Sequence, residues 1–281
     1  MRRPPTHVVP GDPALARLCL GAEIASMRER TAGAPAALVA ELGLRCEPVD
    51  GGTAFIAARF PHATVNRVTG FGLDQPLEEA TLDRTIALYP HRVFSIQPSP
   101  MARPPELSRW LAARGFAVSF HWLIWVRKAQ PPPDEPATGL ELRRLEPEHA
   151  EEFAALLCAA YANPARLAPL HAAGVGRPRW HHWGAFDGGR LVSAGILYVH
   201  GEIGRLFTAG TLPMHRGRGA QGALLVRRMR EACALGCRWV TAETADDLPD
   251  KPNPSVHNLD RLGFRLLHRR PAWMPREAGA R

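Results

Sequence analysis

A loop rich in glycine and arginine, placed between an apolar strand and an apolar helix, constrains this chain more than any other feature. It lies within residues 206–225, LFTAGTLPMHRGRGAQGALL. Glycine lets the backbone approach a ligand without a Cβ atom, and the first helical turn leaves N–H groups unpaired at the positive end of the helix dipole. Such a corner binds phosphate, and Arg216 and Arg218 add charge-assisted donors. The pattern predicts a phosphate site, and the alternative is an ordinary turn with exposed arginines.

Length and composition describe an ordinary globular protein with an excess of arginine. The chain has 281 residues, of which 46% are hydrophobic and 22% are charged. This length predicts two domains. The net charge of +8 is divided evenly between the two halves, and only Lys128 and Lys251 are lysines. Because neither half has a basic arm, we expect an anionic ligand and no nucleic-acid partner.

Three further signals concern location and metals. The sequence has no apolar run of about 18 residues, so we expect no contact with a membrane. Prolines and polar residues in the first 13 positions break any signal-peptide core, which favours a cytoplasmic protein. The five cysteines are scattered and form no CxxC pair, which argues against a disulfide framework and a zinc site. We therefore expect no bound metal.

A proline-rich segment divides the chain. Residues 129–139, AQPPPDEPATG, contain four prolines and cannot continue a helix or a central strand, so they are predicted to be a stiff linker. We expect an N-terminal domain over residues 1–128 and a C-terminal domain over residues 140–281. In the second domain, residues 162–179 form a long irregular segment, which is typical of either a substrate loop or a mobile connection.

The second half resembles a known superfamily. Periodicity and turn signals predict a strand, a helix, antiparallel strands, the glycine loop with its helix, a strand, a helix over 255–262 and a final strand. In this order, residues 139–270 resemble the GNAT N-acetyltransferases, whose acetyl-CoA loop follows an arginine-glycine-x-glycine-x-glycine/alanine pattern. The later asparagine, small residue and Gly-Phe pair of that family appear here as Asn253, Ser255 and Gly263-Phe264.

The resemblance implies acetyl-CoA as the co-substrate and a set of residues that bind it. Three positions depart from the family pattern: Gln221 replaces a small residue, Asn253 lies one position closer to Gly263, and Leu259 stands where many members have a tyrosine that protonates the departing thiolate. The implied cofactor-binding residues are Ala209, Gly210 and Thr211 of the strand, Arg216, Gly217, Arg218, Gly219, Ala220 and Gln221 of the loop, and Asn253.

The first half repeats one part of this pattern. Residues 111–116 end a helix at Gly115-Phe116, as residues 259–264 do at Gly263-Phe264, although a chance helix stop gives the same pattern. No arginine-glycine loop of the family kind is present there. We therefore expect an α/β (α+β) protein with two GNAT-like domains, each a mixed, largely antiparallel sheet flanked by helices. The first of them is predicted to be degenerate and not to bind CoA.

The expected activity is transfer of an acetyl group from acetyl-CoA to a primary amine by direct attack in a ternary complex. The acceptor is a small molecule or a peptide, and the protein is a monomer or a homodimer. The candidate catalytic residues are Glu243 and Ser255. Glu243 ends the strand after the loop helix, where it is predicted to take the proton of the amine through water. The alternatives for Glu243 are a solvated glutamate at the strand end and a salt bridge to a nearby arginine.

Two other functions fit part of the sequence. Residues 217–222 match GxGxxG, with Glu243 about where a dinucleotide-binding protein has its acidic residue. However, residues 213–216 separate the strand from the glycines, and hairpin strands precede it. The second alternative is a regulatory module that binds acyl-CoA without catalysis.

Overall fold

The computed structural model describes residues 11–63, 65–73, 75–248, 250 and 252–276. The beginning of the chain, on which the cytoplasmic interpretation depends, lies mostly outside them. The helices are α1 (Pro13–Ala32), α2 (Ala36–Leu42), α3 (Glu79–Ala87), α4 (Leu107–Ala113), α5 (Ala150–Tyr161), α6 (Ala168–Ala172), α7 (Ala220–Ala234) and α8 (Pro254–Arg261). No helix among these residues is long and apolar enough to cross a membrane.

The strands form one sheet. They are β1 (Leu44–Val49), β2 (Gly52–Ala57), β3 (Arg67–Thr69), β4 (Ser95–Gln97), β5 (Phe116–Lys128), β6 (Glu141–Arg144), β7 (Trp180–Asp187), β8 (Arg190–His200), β9 (Ile203–Thr211), β10 (Trp239–Ala245) and β11 (Arg265–Pro275). Their order across the sheet is β1-β2-β3-β4-β11-β5-β10-β9-β8-β7-β6. The pairs β3/β4 and β9/β10 are parallel, and the other pairs are antiparallel.

The two halves repeat one order of elements. Two helices, three strands, a helix, a strand, a helix and a last strand run from α1 to β5, and the same order runs from α5 to β11. The second half adds β6 in front. In each half, a parallel pair lies on either side of a helical crossover, β3-α3-β4 or β9-α7-β10. This repeat confirms the expected α/β fold with two similar halves.

The last strand of each half lies inside the other half. β5 pairs with β10, β11 pairs with β4, and β5 and β11 pair with each other at the centre of the sheet. The two expected sheets are therefore joined into one. The proposed domain boundaries stay a prediction, because both halves contribute strands to this central region.

The proline-rich segment is extended and packs against the second half. Residues 130–138 form neither helix nor strand. Thr138 donates a hydrogen bond from its hydroxyl to the carbonyl oxygen of Arg218 at 2.8 Å, and Arg230 of α7 pairs with Glu135 at 3.3 Å. The segment therefore lies along α7, and Thr138 contacts the glycine loop at the start of this helix.

Helices cover both faces of the sheet in the second half. On β8, Leu197 packs in the cluster with Met229 of α7, whereas its neighbour Tyr198 packs with Phe153 of α5. α1 lies on the face that α5 covers, where Ala22 packs with Ile203 of β9. We call these the α7 face and the α1 face, and any opening between strands connects them.

The exchanged strands predict that the halves unfold together. Trp125 of β5 is fully buried among residues of the second half and donates a hydrogen bond to the Thr244 hydroxyl at 3.0 Å. We expect Trp125→Ala to lower the free energy of unfolding by about 3–5 kcal/mol, because it leaves a cavity. Val118→Ala on the same strand is the control, since Val118 is exposed. Urea unfolding that shows two separate transitions, or equal effects of the two variants, would contradict this account.

Candidate active site

Strands β9 and β10 separate halfway along their length. Their parallel pairing ends at Leu206 and Ala242, although both strands continue. The β8/β9 register shifts between Ala194 and Ile196, and Thr208 adopts a left-handed conformation, with φ of 46°. This bulge bends β9 away from β10. The result is a V-shaped opening through the sheet, between the second halves of the two strands.

The glycine loop folds as its residue types predict. A 3₁₀ turn (Pro213–His215) follows β9, and α7 begins at Ala220. Gly217 and Gly219 both have φ of 78°, in the left-handed region that disfavours other residues. Gly219 is the N-cap residue of α7, and no side chain among the described residues caps this helix end. The first-turn N–H groups therefore remain available for an anion.

The two loop arginines have different surroundings. Arg218 forms an ion pair with Asp187 of the β7–β8 hairpin, and His215 lies 3.4 Å from the same carboxylate. Arg216 is exposed, and its Nε donates a long hydrogen bond to the Thr211 carbonyl oxygen at 3.4 Å. A phosphate at the loop would therefore meet Arg216 directly, whereas Arg218 would first have to leave Asp187.

A cavity of about 530 Å³ passes through the opening between β9 and β10. It brings together five of the predicted site residues, Ala209, Gln221, Glu243, Asn253 and Ser255. The loop residues from Arg216 to Ala220, together with Gly210 and Thr211, lie outside its lining. The sequence-based set therefore divides into residues around the cavity and residues near the start of α7.

Asn253 holds the end of β10 against α8. Its Oδ1 accepts a hydrogen bond from the Ser255 N–H at 3.1 Å, and its Nδ2 donates to the Ala245 carbonyl oxygen at 2.9 Å. Both polar ends of the side chain are therefore engaged within the protein. Asn253 caps α8 and positions Ser255, which lies in the first turn of α8 and lines the cavity.

Glu243 belongs to a buried network of ion pairs that joins the two halves. Its carboxylate pairs with Arg205 at 3.2 Å and also contacts Arg270. Arg270 in turn pairs with Glu23 of α1 at 2.7 Å. Burial opposes the charge on Glu23, but Arg270 and Arg67 outweigh it and hold the pKa of this carboxyl below its usual range. The structure thus contains the salt bridge that was one of the two alternatives for Glu243, and the carboxylate is not the solvated strand-end group of the other.

Comparison with known proteins identifies the fold. A GCN5-related N-acetyltransferase of Kribbella flavida aligns with 86% of this chain and 92% of its own, with a TM-score of 0.60 and 16% identity. A second such protein, of Sphaerobacter thermophilus, aligns with 79% of this chain and 76% of its own, with a TM-score of 0.58 and 18% identity. A tandem GNAT protein of the clavulanic acid biosynthesis pathway aligns with 82% of this chain and 79% of its own, with a TM-score of 0.54 and 20% identity.

This chain has the tandem GNAT fold. No family model matches it, and no curated protein matches it by sequence. The fold that the sequence resemblance implied is therefore confirmed by structure. The arrangement differs from a dinucleotide-binding fold, because the loop follows a strand whose other neighbour, β8, is antiparallel.

The GNAT fold implies acetyl-CoA, and the residues present fit that group. Two left-handed glycines and an uncapped helix start suit a diphosphate. The opening beside Thr208 and Ala209 provides an extended groove next to strand backbone. Among the described residues, no group of three or more His, Cys, Asp or Glu side chains is placed to hold a metal ion.

Sequence reasoning missed several residues of the cavity. Tyr161, at the end of α5, donates a hydrogen bond to the Ala209 carbonyl oxygen at 2.8 Å. Arg30, Arg67, Arg205 and Arg228 also line the cavity. A signal was present for Arg205, which interrupts the otherwise apolar strand IGRLF. Tyr161 and Asn163 come from the irregular segment or its border, and this segment also contains the short helix α6.

Buried Leu259 occupies the cavity wall at the position where the resemblance implied a tyrosine in many proteins. It has no hydroxyl group to protonate a leaving group. Ser255 and Tyr161 supply hydroxyl groups in the same cavity from two different helices.

The loop geometry predicts that Arg216 contributes to CoA binding. We expect Arg216→Ala to weaken CoA binding by about 1.5–3 kcal/mol, the range for a lost hydrogen bond to a charged group. Titration calorimetry with CoA measures this change. Arg109→Ala, in the exposed part of α4, is the matched control. An unchanged dissociation constant for the Arg216 variant, with the fold intact by circular dichroism, would remove Arg216 from the site.

Proposed function

We propose that this protein is an N-acyltransferase that moves an acetyl group from acetyl-CoA to a primary amine. The observation that carries the proposal is the cavity through the sheet, which opens to helices on both faces. Gln221, Leu225 and Ser255 line it on the α7 face, and Met27 and Arg30 line it on the α1 face. Two substrates that approach from opposite faces would meet between β9 and β10.

The cofactor would lie on the α7 face. The loop amides from Gly217 to Gln221 and the Arg216 guanidinium would hold the diphosphate, and the β9 backbone at Ala209–Thr211 would hold the pantetheine. When bound, acetyl-CoA supplies an acetyl group activated as a thioester. The Thr208 bulge frees backbone groups of β9 from the β10 ladder, so they can donate hydrogen bonds where negative charge develops.

The acceptor would approach from the α1 face. Most of the catalytic work is then positioning, because the bound amine is held beside the acyl carbon. The amine attacks as the neutral base, so its ammonium form must first lose a proton. Glu243 lies on this side of β10 and lines the cavity, and we assign it the role of proton acceptor through water. Its pairs with Arg205 and Arg270 fix the position of the carboxylate.

The departing sulfur requires a proton donor. Leu259 cannot donate, so we assign this role to Ser255, which Asn253 positions at the start of α8. Tyr161 also has a hydroxyl group in the cavity, but this group already donates a hydrogen bond to the Ala209 carbonyl oxygen. We therefore assign Tyr161 to holding the bulged strand.

A binding module without catalysis is the second candidate, and the aliphatic side chain at position 259 favours it. The two functions separate in one assay. Thiol release from acetyl-CoA, measured with a panel of primary amines, should exceed hydrolysis without an amine. We expect Ser255→Ala to lower kcat by about 100-fold, as for the loss of a proton-transfer group, and Tyr161→Phe to lower it less. Saturable CoA binding with no amine-dependent thiol release would instead support the binding module.

The role of Glu243 makes a separate kinetic prediction. We expect Glu243→Gln to lower kcat by about 100-fold or more and to leave the CoA dissociation constant unchanged. Glu243→Asp is the control, since it keeps the charge near Arg205. A near-normal kcat of the Glu243→Gln variant would show that Glu243 serves only in the ion-pair network.

A further inference from the structure

The α1 face of the cavity carries more positive than negative charge. Arg30 of α1, Arg67 of β3 and Arg205 of β9 line it, and Glu243 is the one carboxylate among the described residues that line the cavity. Arg205 is already paired with that carboxylate at 3.2 Å. The positive charges of Arg30 and Arg67 are therefore not balanced by this carboxylate.

Arg30 has no acidic partner in the part of the chain that the structure describes. Among the residues that the structure describes, no carboxylate lies within ion-pairing distance of its guanidinium, whereas Arg67 and Arg205 are close enough to repel it. Burial and these two neighbours lower the pKa of Arg30 to about 10. Arg30 is still protonated at neutral pH, so the wall holds a cation that no described carboxylate neutralises.

Arg67 uses only some of the hydrogen-bond donors of its guanidinium group. Its Nη2 lies 3.5 Å from Glu23, and the same nitrogen contacts the Met27 sulfur at 2.6 Å. Its Nε is buried and has no hydrogen-bond partner among the described residues. The Glu23 carboxylate is shared with Arg270 at 2.7 Å. Burial of a guanidinium group with an unused donor costs free energy unless a ligand accepts a hydrogen bond from that donor.

The position of these arginines separates them from the cofactor site. Arg30 and Arg67 come from the first half of the chain, on the face opposite α7, whereas the glycine loop is at the start of α7. The phosphates of CoA would therefore be bound elsewhere. An anion at Arg30 and Arg67 would have to belong to the second substrate.

We propose that the acceptor amine carries an anionic group, a carboxylate or a phosphate, which Arg30 and Arg67 bind on the α1 face of the cavity. This inference rests on the proposed function, since it names the class of acceptor. Guanidinium groups bind both anions through paired hydrogen bonds. Polyamines and other acceptors with several positive charges are disfavoured by repulsion from the same wall.

The positive wall also assists the chemistry. A cationic environment lowers the pKa of a nearby ammonium group, so the bound acceptor loses its proton more readily. The same charge that holds the anionic group therefore raises the fraction of neutral amine, the form that attacks. Recognition and activation of the acceptor come from one feature of the cavity.

The first test compares matched acceptors. Thiol release is measured with L-amino acids and their amides, with O-phosphoethanolamine and ethanolamine, and with spermidine. We expect the anionic member of at least one pair to have a kcat/KM about tenfold higher or more, the effect of one charge-assisted bond. The two pairs distinguish carboxylate from phosphate. Preference for neutral amines or spermidine would overturn the proposal and leave the acetyltransferase function intact.

Variants then locate the anion. We expect Arg30→Gln and Arg67→Gln to raise KM for the anionic acceptor about tenfold, with KM for the neutral partner and the CoA dissociation constant unchanged. Arg28→Gln, on the exposed side of the same helix, is the control and should change neither. Equal effects of the variants on anionic and neutral amines would show that the arginines have only a structural role.

A binding measurement tests the site without turnover. With CoA at saturation, N-acetyl-L-amino acids and N-acetyl-O-phosphoethanolamine are titrated by calorimetry into the wild-type protein and the Arg30→Gln variant. Saturable binding that the variant loses supports the anion site, even where no amine is acetylated and the proposed function fails. Binding by neither protein, or equally by both, overturns the proposal.

Discussion

The pairing of β5 with β11 at the centre of the sheet is the constraint on which the rest of the structure depends. Each strand ends one half of the chain and lies beside the parallel pair of the other half. Trp125 therefore packs among residues of the second half, and neither half completes its sheet alone. This exchange also brings α1 over β9 and β10, because the first half is held against the same sheet.

The ion-pair network follows from that arrangement. Glu23 comes from α1, Arg205 and Glu243 come from β9 and β10, and Arg270 comes from β11. Breaking such a buried network by removing one partner is expensive, since it leaves an unpaired charge. The network fixes the wall of the cavity where Arg30 and Arg67 lie. The first half of the chain is predicted not to bind CoA. It can therefore still contribute residues to the acceptor side of the cavity.

Local features could be predicted from the sequence, and features that need distant partners could not. The glycine loop, the start of α7 and the strand at 116–126 each follow from residue types within one segment. The exchange of β5 and β11 does not, because an aromatic, alternating strand fits many positions in a sheet. The partners of Glu243 are distant in sequence, so the pattern of RWVTAET placed it on the correct face without showing Arg270. No sequence pattern indicated a functional role for Arg30, because a single arginine is common in a helix that contains both polar and apolar residues.

The most direct test of the account is a crystal structure of the protein with CoA bound. We expect the diphosphate at the amides of residues 217–221 and the pantetheine in the opening between β9 and β10, with its thiol near Ala209 and Ser255. The cavity wall with Arg30 and Arg67 would remain free of the cofactor. A diphosphate on the first half of the chain, against Arg30 and Arg67 or elsewhere, would contradict this assignment.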